Sequence, residues 1–185
     1  MEQPCLKMKK SQFIRSIKGN AAFDIIIFTM VIIFVIFPVF SVICEKYIVV
    51  TEAQSIKDAV DMTNIAVYNA MNNQALGRCV IDFDNEDIIA SYKKLLAVNL
   101  RLNADLTPKP DSIAEGQVTI DSLICYTDNL PVKCTAGNVI KRPTIHSMVT
   151  VPVKPVLYRQ LIFELTGKEY LELKVHVDSE LPVNN

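Results

Sequence analysis

The 185 residues contain two histidines, His146 and His176, the side chains best suited to proton transfer or metal ligation near neutral pH. Neither has a Cys, Asp or Glu neighbour at metal-ligand spacing, so each reads as an exposed or hydrogen-bonded histidine of a strand or loop. The five glycines, at 19, 77, 116, 137 and 167, stand alone and offer no loop whose amides would cradle a phosphate. The acidic pairs Asp82/Asp84 and Glu86/Asp87 would suit a hard cation, but their segment lacks the Gly and the closing Glu of a twelve-residue calcium loop. They read instead as a solvated helix start. No nucleophile motif accompanies these residues. The chain is therefore expected not to be an enzyme, and neither a cofactor nor a metal is expected.

Cysteine chemistry is the other candidate. Cys125 and Cys134 bracket a turn-rich stretch containing Asp128, Asn129 and Pro131, which a disulfide could close in an oxidising compartment. Together with Cys79 they form an odd set of three beyond Cys44, so at least one stays unpaired. The competing reading is three small buried hydrophobes.

The elements that must position these groups begin with an anchor. Residues 25–44 form a run of 20 uncharged residues, which as a helix rising about 1.5 Å per residue spans the roughly 30 Å hydrocarbon core of a bilayer. Lys7, Lys9, Lys10, Arg15 and Lys18 precede the run and Glu45-Lys46 follow it, so the positive-inside rule puts the N-terminus in the cytoplasm and the remainder outside. A cleaved signal peptide would have a shorter apolar core ending at small residues. The net charge of −1 is uneven: residues 1–24 carry five basic and two acidic side chains, and residues 45–185 carry 14 basic and 18 acidic. An outer domain with that acidic excess and no basic stripe is not expected to bind nucleic acid.

Beyond the anchor, Ala53, Ile56, Val60, Thr63, Val67 and Ala70-Met71 recur at steps of three or four without Pro or Gly. The spacing predicts that one long helix covers residues 20–76, bent at Pro38 and stopped by Gly77. A second helix is predicted from the Asp84 region to about Asn103, with Ile88, Ile89, Tyr92, Leu95, Leu96 and Leu102 on one face. Residues 118–126, 147–153 and 170–177 are β-branched and partly alternating, which predicts three strands. A short helix over residues 155–165 should bury Val156, Leu157, Leu161 and Ile162. The expected fold class is α+β: a leader over 1–19, a long helix over 20–76, and an outer domain over 77–185 with a small antiparallel sheet packed on helices.

One constellation remains at the membrane boundary. Gly19 follows the basic stretch, and Asp24, the fifth residue beyond it, opens the apolar run. A carboxylate there requires an explanation, either as a headgroup-level charge favouring the helix start or as a functional group. The basic leader, Gly19, Asp24, the apolar helix and its amphipathic extension together resemble a type IV prepilin. The Tad (tight adherence) pseudopilins of the TadE kind fit best. The resemblance covers about a third of the chain, residues 13–71, and departs from the family in having Asp24 where Glu is usual. It implies a structural, membrane-anchored minor pilin or pseudopilin of a Flp-type pilus or related secretion apparatus in a bacterial plasma membrane. It further implies that a prepilin peptidase cuts between Gly19 and Asn20, and that Asp24 pairs with a neighbouring subunit's new amine. The expected partners are the membrane, other pilin subunits, the assembly machinery and the peptidase. The alternative is a tethered binding domain outside any filament.

Overall fold

The computed structural model describes residues 10–70, 86–127 and 129–181, with side chains over 21–69, 89–127 and 129–181. The chain divides into two units, Met1–Lys46 and Tyr47–Asn185. Helix α1, Lys10–Val31, leads through a π-helical turn, Ile32–Ile36, into α2, Phe37–Ala70. The helix starts well before the predicted Asn20, because Gly19 costs only about 1 kcal/mol inside a helix and does not end it. At Pro38, as expected, the helix continues rather than ends, and it does so through a π-helical turn. Proline has no N–H to donate, and its ring crowds the carbonyl four residues back, that of Phe34. The turn widens just ahead of it, with the Phe37 N–H bonding to the Ile32 carbonyl.

In the first unit the side chains of residues 21–44 are exposed or half-buried, and large apolar groups such as Phe28, Ile33, Phe34 and Phe37 face outward. The hydroxyls of Thr29 and Ser41 donate back to the carbonyls of Ile25 and Phe37 at 2.8 and 2.9 Å. Their polarity is thus satisfied within the helix, as an apolar surrounding demands. Among the described residues one helix, Ala21–Asn69, is long and apolar enough to cross a membrane.

In the second unit the C-terminal part of α2 buries Ile56, Val60, Thr63, Asn64 and Val67, which is the predicted face as far as Val67, while the side chains of Ala70 and Met71 lie outside those described. Helix α3, Glu86–Asn99, buries Tyr92 and Leu96 and half-buries Leu95, while Ile89 is exposed. It ends before the predicted Asn103 because Arg101 turns to φ 55°, letting the Leu102 N–H reach the Ala97 carbonyl at 2.6 Å and the Arg101 N–H reach Val98 at 3.2 Å. The proposed cap at Asp84, the stop at Gly77 and Cys79 lie outside the described residues.

The three predicted strands are present as β1 (Thr119–Tyr126), β4 (Thr144–Val153) and β5 (Leu171–Glu180), in an antiparallel sheet of order β1-β4-β5. Two short strands that the sequence reading did not foresee, β2 (Val132–Lys133) and β3 (Val139–Ile140), pair as a separate hairpin. Alternation divides the sheet into two faces. Val149, Val151 and Val153 of β4 and Val175 and Val177 of β5 pack with Ile56, Val60 and Val67 of α2 and with Tyr92 and Leu96 of α3.

Polar groups lock this interface. Asn64 donates to the hydroxyls of Ser147 at 3.0 Å and Ser179 at 2.8 Å, and Ser179 donates to Asp61 at 2.5 Å. Asn99 donates to Thr63 at 2.8 Å, tying α3 to α2. Replacing Asn64 by Ala leaves two buried serine hydroxyls without their donor and is expected to cost about 1–3 kcal/mol in chemical denaturation of the full chain in detergent micelles.

Burial pushes the Tyr92 phenol up to about 12, with the Ser147 hydroxyl pulling weakly the other way. The folded state therefore holds this proton after the unfolded chain has released it near 10.0. Its contribution to stability is intact below that value and is lost as pH rises toward 12, by up to about 1.4 kcal/mol per pH unit. Tyr92→Phe should flatten that alkaline slope in pH-dependent denaturation.

The predicted helix over residues 155–165 is corrected. Helix α4 spans Arg159–Thr166 and has no buried residue. Val156, Leu157 and Leu161 are exposed, and Ile162 is only half-buried. Gly167 at φ 71° stops the helix after two turns, and the apolar face of the sheet is already filled by α2 and α3.

Candidate functional site

The second face of the sheet carries a different set of side chains. His146 lies on β4, and His176 and Asp178 lie two residues apart on β5, so all three project from the same side. The register sets His146 opposite Asp178 and Met148 opposite His176, which makes the two histidines diagonal neighbours.

The β2–β3 hairpin brings the fourth group. Cys134 follows β2 and opens a turn in which its N–H donates to the Asn138 carbonyl and the Gly137 N–H donates to the Cys134 carbonyl, both at 2.9 Å. Gly137 sits at φ 90°, a conformation that a side chain would strain. This tight turn presents Cys134, Thr135 and Asn138 to the sheet.

The four groups converge. His146 Nδ1 is 2.8 Å from Asp178 Oδ1 and 3.1 Å from His176 Nε2, which is itself 3.0 Å from the same carboxylate oxygen. Cys134 Sγ lies 3.9 Å from both His176 Nε2 and Asp178 Oδ2. Thr135 Oγ1 lies 2.8 Å from His146 Nε2, and Asn138 donates to Asp178 Oδ2 at 3.0 Å. His146 and Cys134 are buried, whereas His176 and Asp178 are partly open to a cleft of about 420 Å³ bordered by Lys57, Asp61 and Asn138. Burial pushes the Asp178 carboxyl up, but the hydrogen bonds from Asn138 and His146, together with His176, outweigh it and hold it below the usual carboxylate range. Thr135, His146 and Asp178 also stand in the hydroxyl, imidazole, carboxylate order of a hydrolase triad. That chain uses neither Cys134 nor His176.

Of the residues singled out from the sequence, Cys134, His146 and His176 meet in this cluster, and the others fall elsewhere. Gly19 and Asn20 lie within α1, and Asp24 is an exposed residue of the same helix. Cys125 sits on β1, opposite Ile145. It and Cys134 are both thiols, not joined in a disulfide, and the Cys134 sulfur faces His176 and Asp178. Sequence reasoning missed the four-residue cluster because it sought metal ligands at local motif spacings. The available signal was His176-Val177-Asp178, a pair at the same-face spacing of a strand.

Comparison with protein-family models, with curated proteins and with solved structures gives no match to this chain.

Proposed function

We propose that the chain is a structural, membrane-anchored subunit of the TadE-like pseudopilin kind. It assembles through its N-terminal helix in a Flp-type pilus or a related secretion apparatus, and it carries no catalytic activity. One observation supports this reading above others: a single helix has two kinds of surface. Over residues 21–44 it exposes apolar side chains, and farther on Ile56, Val60, Thr63 and Val67 form the buried spine of the folded domain.

Asp24 supplies the specificity. A carboxylate at the mouth of a lipid anchor is costly alone and favourable when a cation meets it. Cutting after Gly19 creates that cation as the α-amine of Asn20. The exposed Leu157 and Phe163, beside and on α4, offer neighbouring subunits a second apolar surface.

Processing tests the reading. Intact-mass and N-terminal analysis of the native protein, from a host that has its prepilin peptidase, is expected to give Asn20 as the first residue. A retained leader on the mature protein would contradict it and favour a tethered binding domain.

A further inference from the structure

We propose that Cys134, His146, His176 and Asp178 bind one Zn²⁺ in a closed four-coordinate site that clamps the β2–β3 hairpin to the sheet. The inference is independent of the assembly reading, since every ligand lies in the second unit, far along the sequence from Gly19 and Asp24.

Geometry carries it. Tetrahedral zinc with bonds of about 2.0–2.3 Å sets its ligand atoms roughly 3.3–3.6 Å apart. The separations here straddle that range: 2.8, 3.0 and 3.1 Å among His146 Nδ1, His176 Nε2 and Asp178 Oδ1, and 3.9 Å from the sulfur to His176 Nε2. No two of the four ligand atoms are farther apart than 4.8 Å. Changes of about 0.5–1.2 Å in these separations, shared between the facing side chains, would complete a tetrahedron.

The donor set is also right for the ion. One thiolate, two neutral imidazoles and one carboxylate are borderline-soft ligands that suit zinc rather than calcium or magnesium. On binding, the Cys134 thiol gives its proton to solvent as the sulfur–zinc bond forms, and the Asp178 carboxylate needs no proton change. The two negative ligands cancel the charge of the ion, so a partly buried site carries no net charge.

The surrounding groups are those that orient ligands. With His146 Nδ1 turned to the metal, its Nε2–H donates to Thr135 Oγ1, and Asn138 holds Asp178 by Oδ2, leaving Oδ1 toward the two imidazoles. The cleft beside His176 and Asp178 provides an entry path. A metal engages all four convergent groups, whereas the triad order leaves two of them idle. It also gives the hairpin, whose strands have two residues each, a crosslink that its own ladder cannot supply.

The test uses the full chain, purified in detergent micelles under reducing conditions, with zinc content measured by mass spectrometry and Co²⁺ used as a spectroscopic probe. We expect one zinc per chain. Co²⁺ should give a thiolate charge-transfer band with the d–d bands of four-coordinate geometry. Cys134→Ser should abolish the charge-transfer band, Cys125→Ser should leave it intact, and Asn138→Ala should weaken zinc binding about 10–100-fold. The proposal is overturned if the wild-type chain retains no zinc and gives no charge-transfer band with Co²⁺, or if that band persists in Cys134→Ser. Detection of a Cys125–Cys134 disulfide in the native protein would overturn it equally. The wild-type measurements need no variant, so a substitution that fails to fold does not remove the test.

Discussion

Replacing Tyr92 by Ala is expected to destabilise the second unit by about 3–5 kcal/mol. Tyr92 is fully buried and belongs to the cluster that joins α2, α3 and the apolar face of the sheet. Truncation deletes a large ring from the point where three elements meet, and the neighbours that would have to close the gap are held. Val149 and Val175 sit in a paired ladder, and Asn64 ties α2 to β4 and β5. The site therefore cannot collapse, and the cavity contributes to the loss on top of the lost burial. Tyr92→Phe preserves the ring and should cost far less. Urea denaturation of both variants in the full chain, followed by far-UV circular dichroism, separates the two outcomes. Equal, small losses would mean that the three elements do not share one core.

Asp24→Ala is expected to reduce assembly by roughly 10²–10³-fold or more, with the folding of residues 47–181 unchanged. On the proposed account, the variant leaves the α-amine of Asn20 in apolar surroundings without its partner. Breaking a desolvated pair by removing one member costs about 3–5 kcal/mol, and each 1.4 kcal/mol is about a tenfold change in an association constant. Asp24→Glu keeps the charge and should restore most of the assembly. The readout is the fraction of the chain in sedimentable filaments or assembly complexes, with membrane insertion checked separately. Asp24 is far from the domain core in sequence and exposed in α1, so a loss of assembly with normal folding would isolate the charge as its cause.

Much of the architecture could be read from local periodicity. The C-terminal half of α2 announced its buried face through Ile56, Val60, Thr63 and Val67 at helical steps, and β1, β4 and β5 announced themselves through β-branched runs. Those signals come from residues whose burial is decided by the element they sit in. What escaped was decided by tertiary context. Residues 156–165 have the same helical pattern as α2, yet their apolar side chains stay outward because the sheet face they would need is taken. The β2–β3 hairpin has strands too short to register as a pattern, and its turn depends on one positive-φ glycine. The cluster of Cys134, His146, His176 and Asp178 draws on three separate segments. Only strand register, which no local window contains, makes His146 and Asp178 face each other. Of that cluster, the sequence showed one half-signal, the two-residue step from His176 to Asp178.

The position of the Asp24 carboxylate in the assembled protein distinguishes a pilin-like subunit from a tethered domain most directly. Zero-length carbodiimide coupling in native membranes or filaments joins a carboxylate to an amine only when the two touch, and mass spectrometry identifies the joined peptides. The account predicts a peptide in which Asp24 of one copy is linked to the α-amine of Asn20 of another. Asp24 found coupled only to added soluble amines, with Asn20 never exposed as an N-terminus, would contradict it.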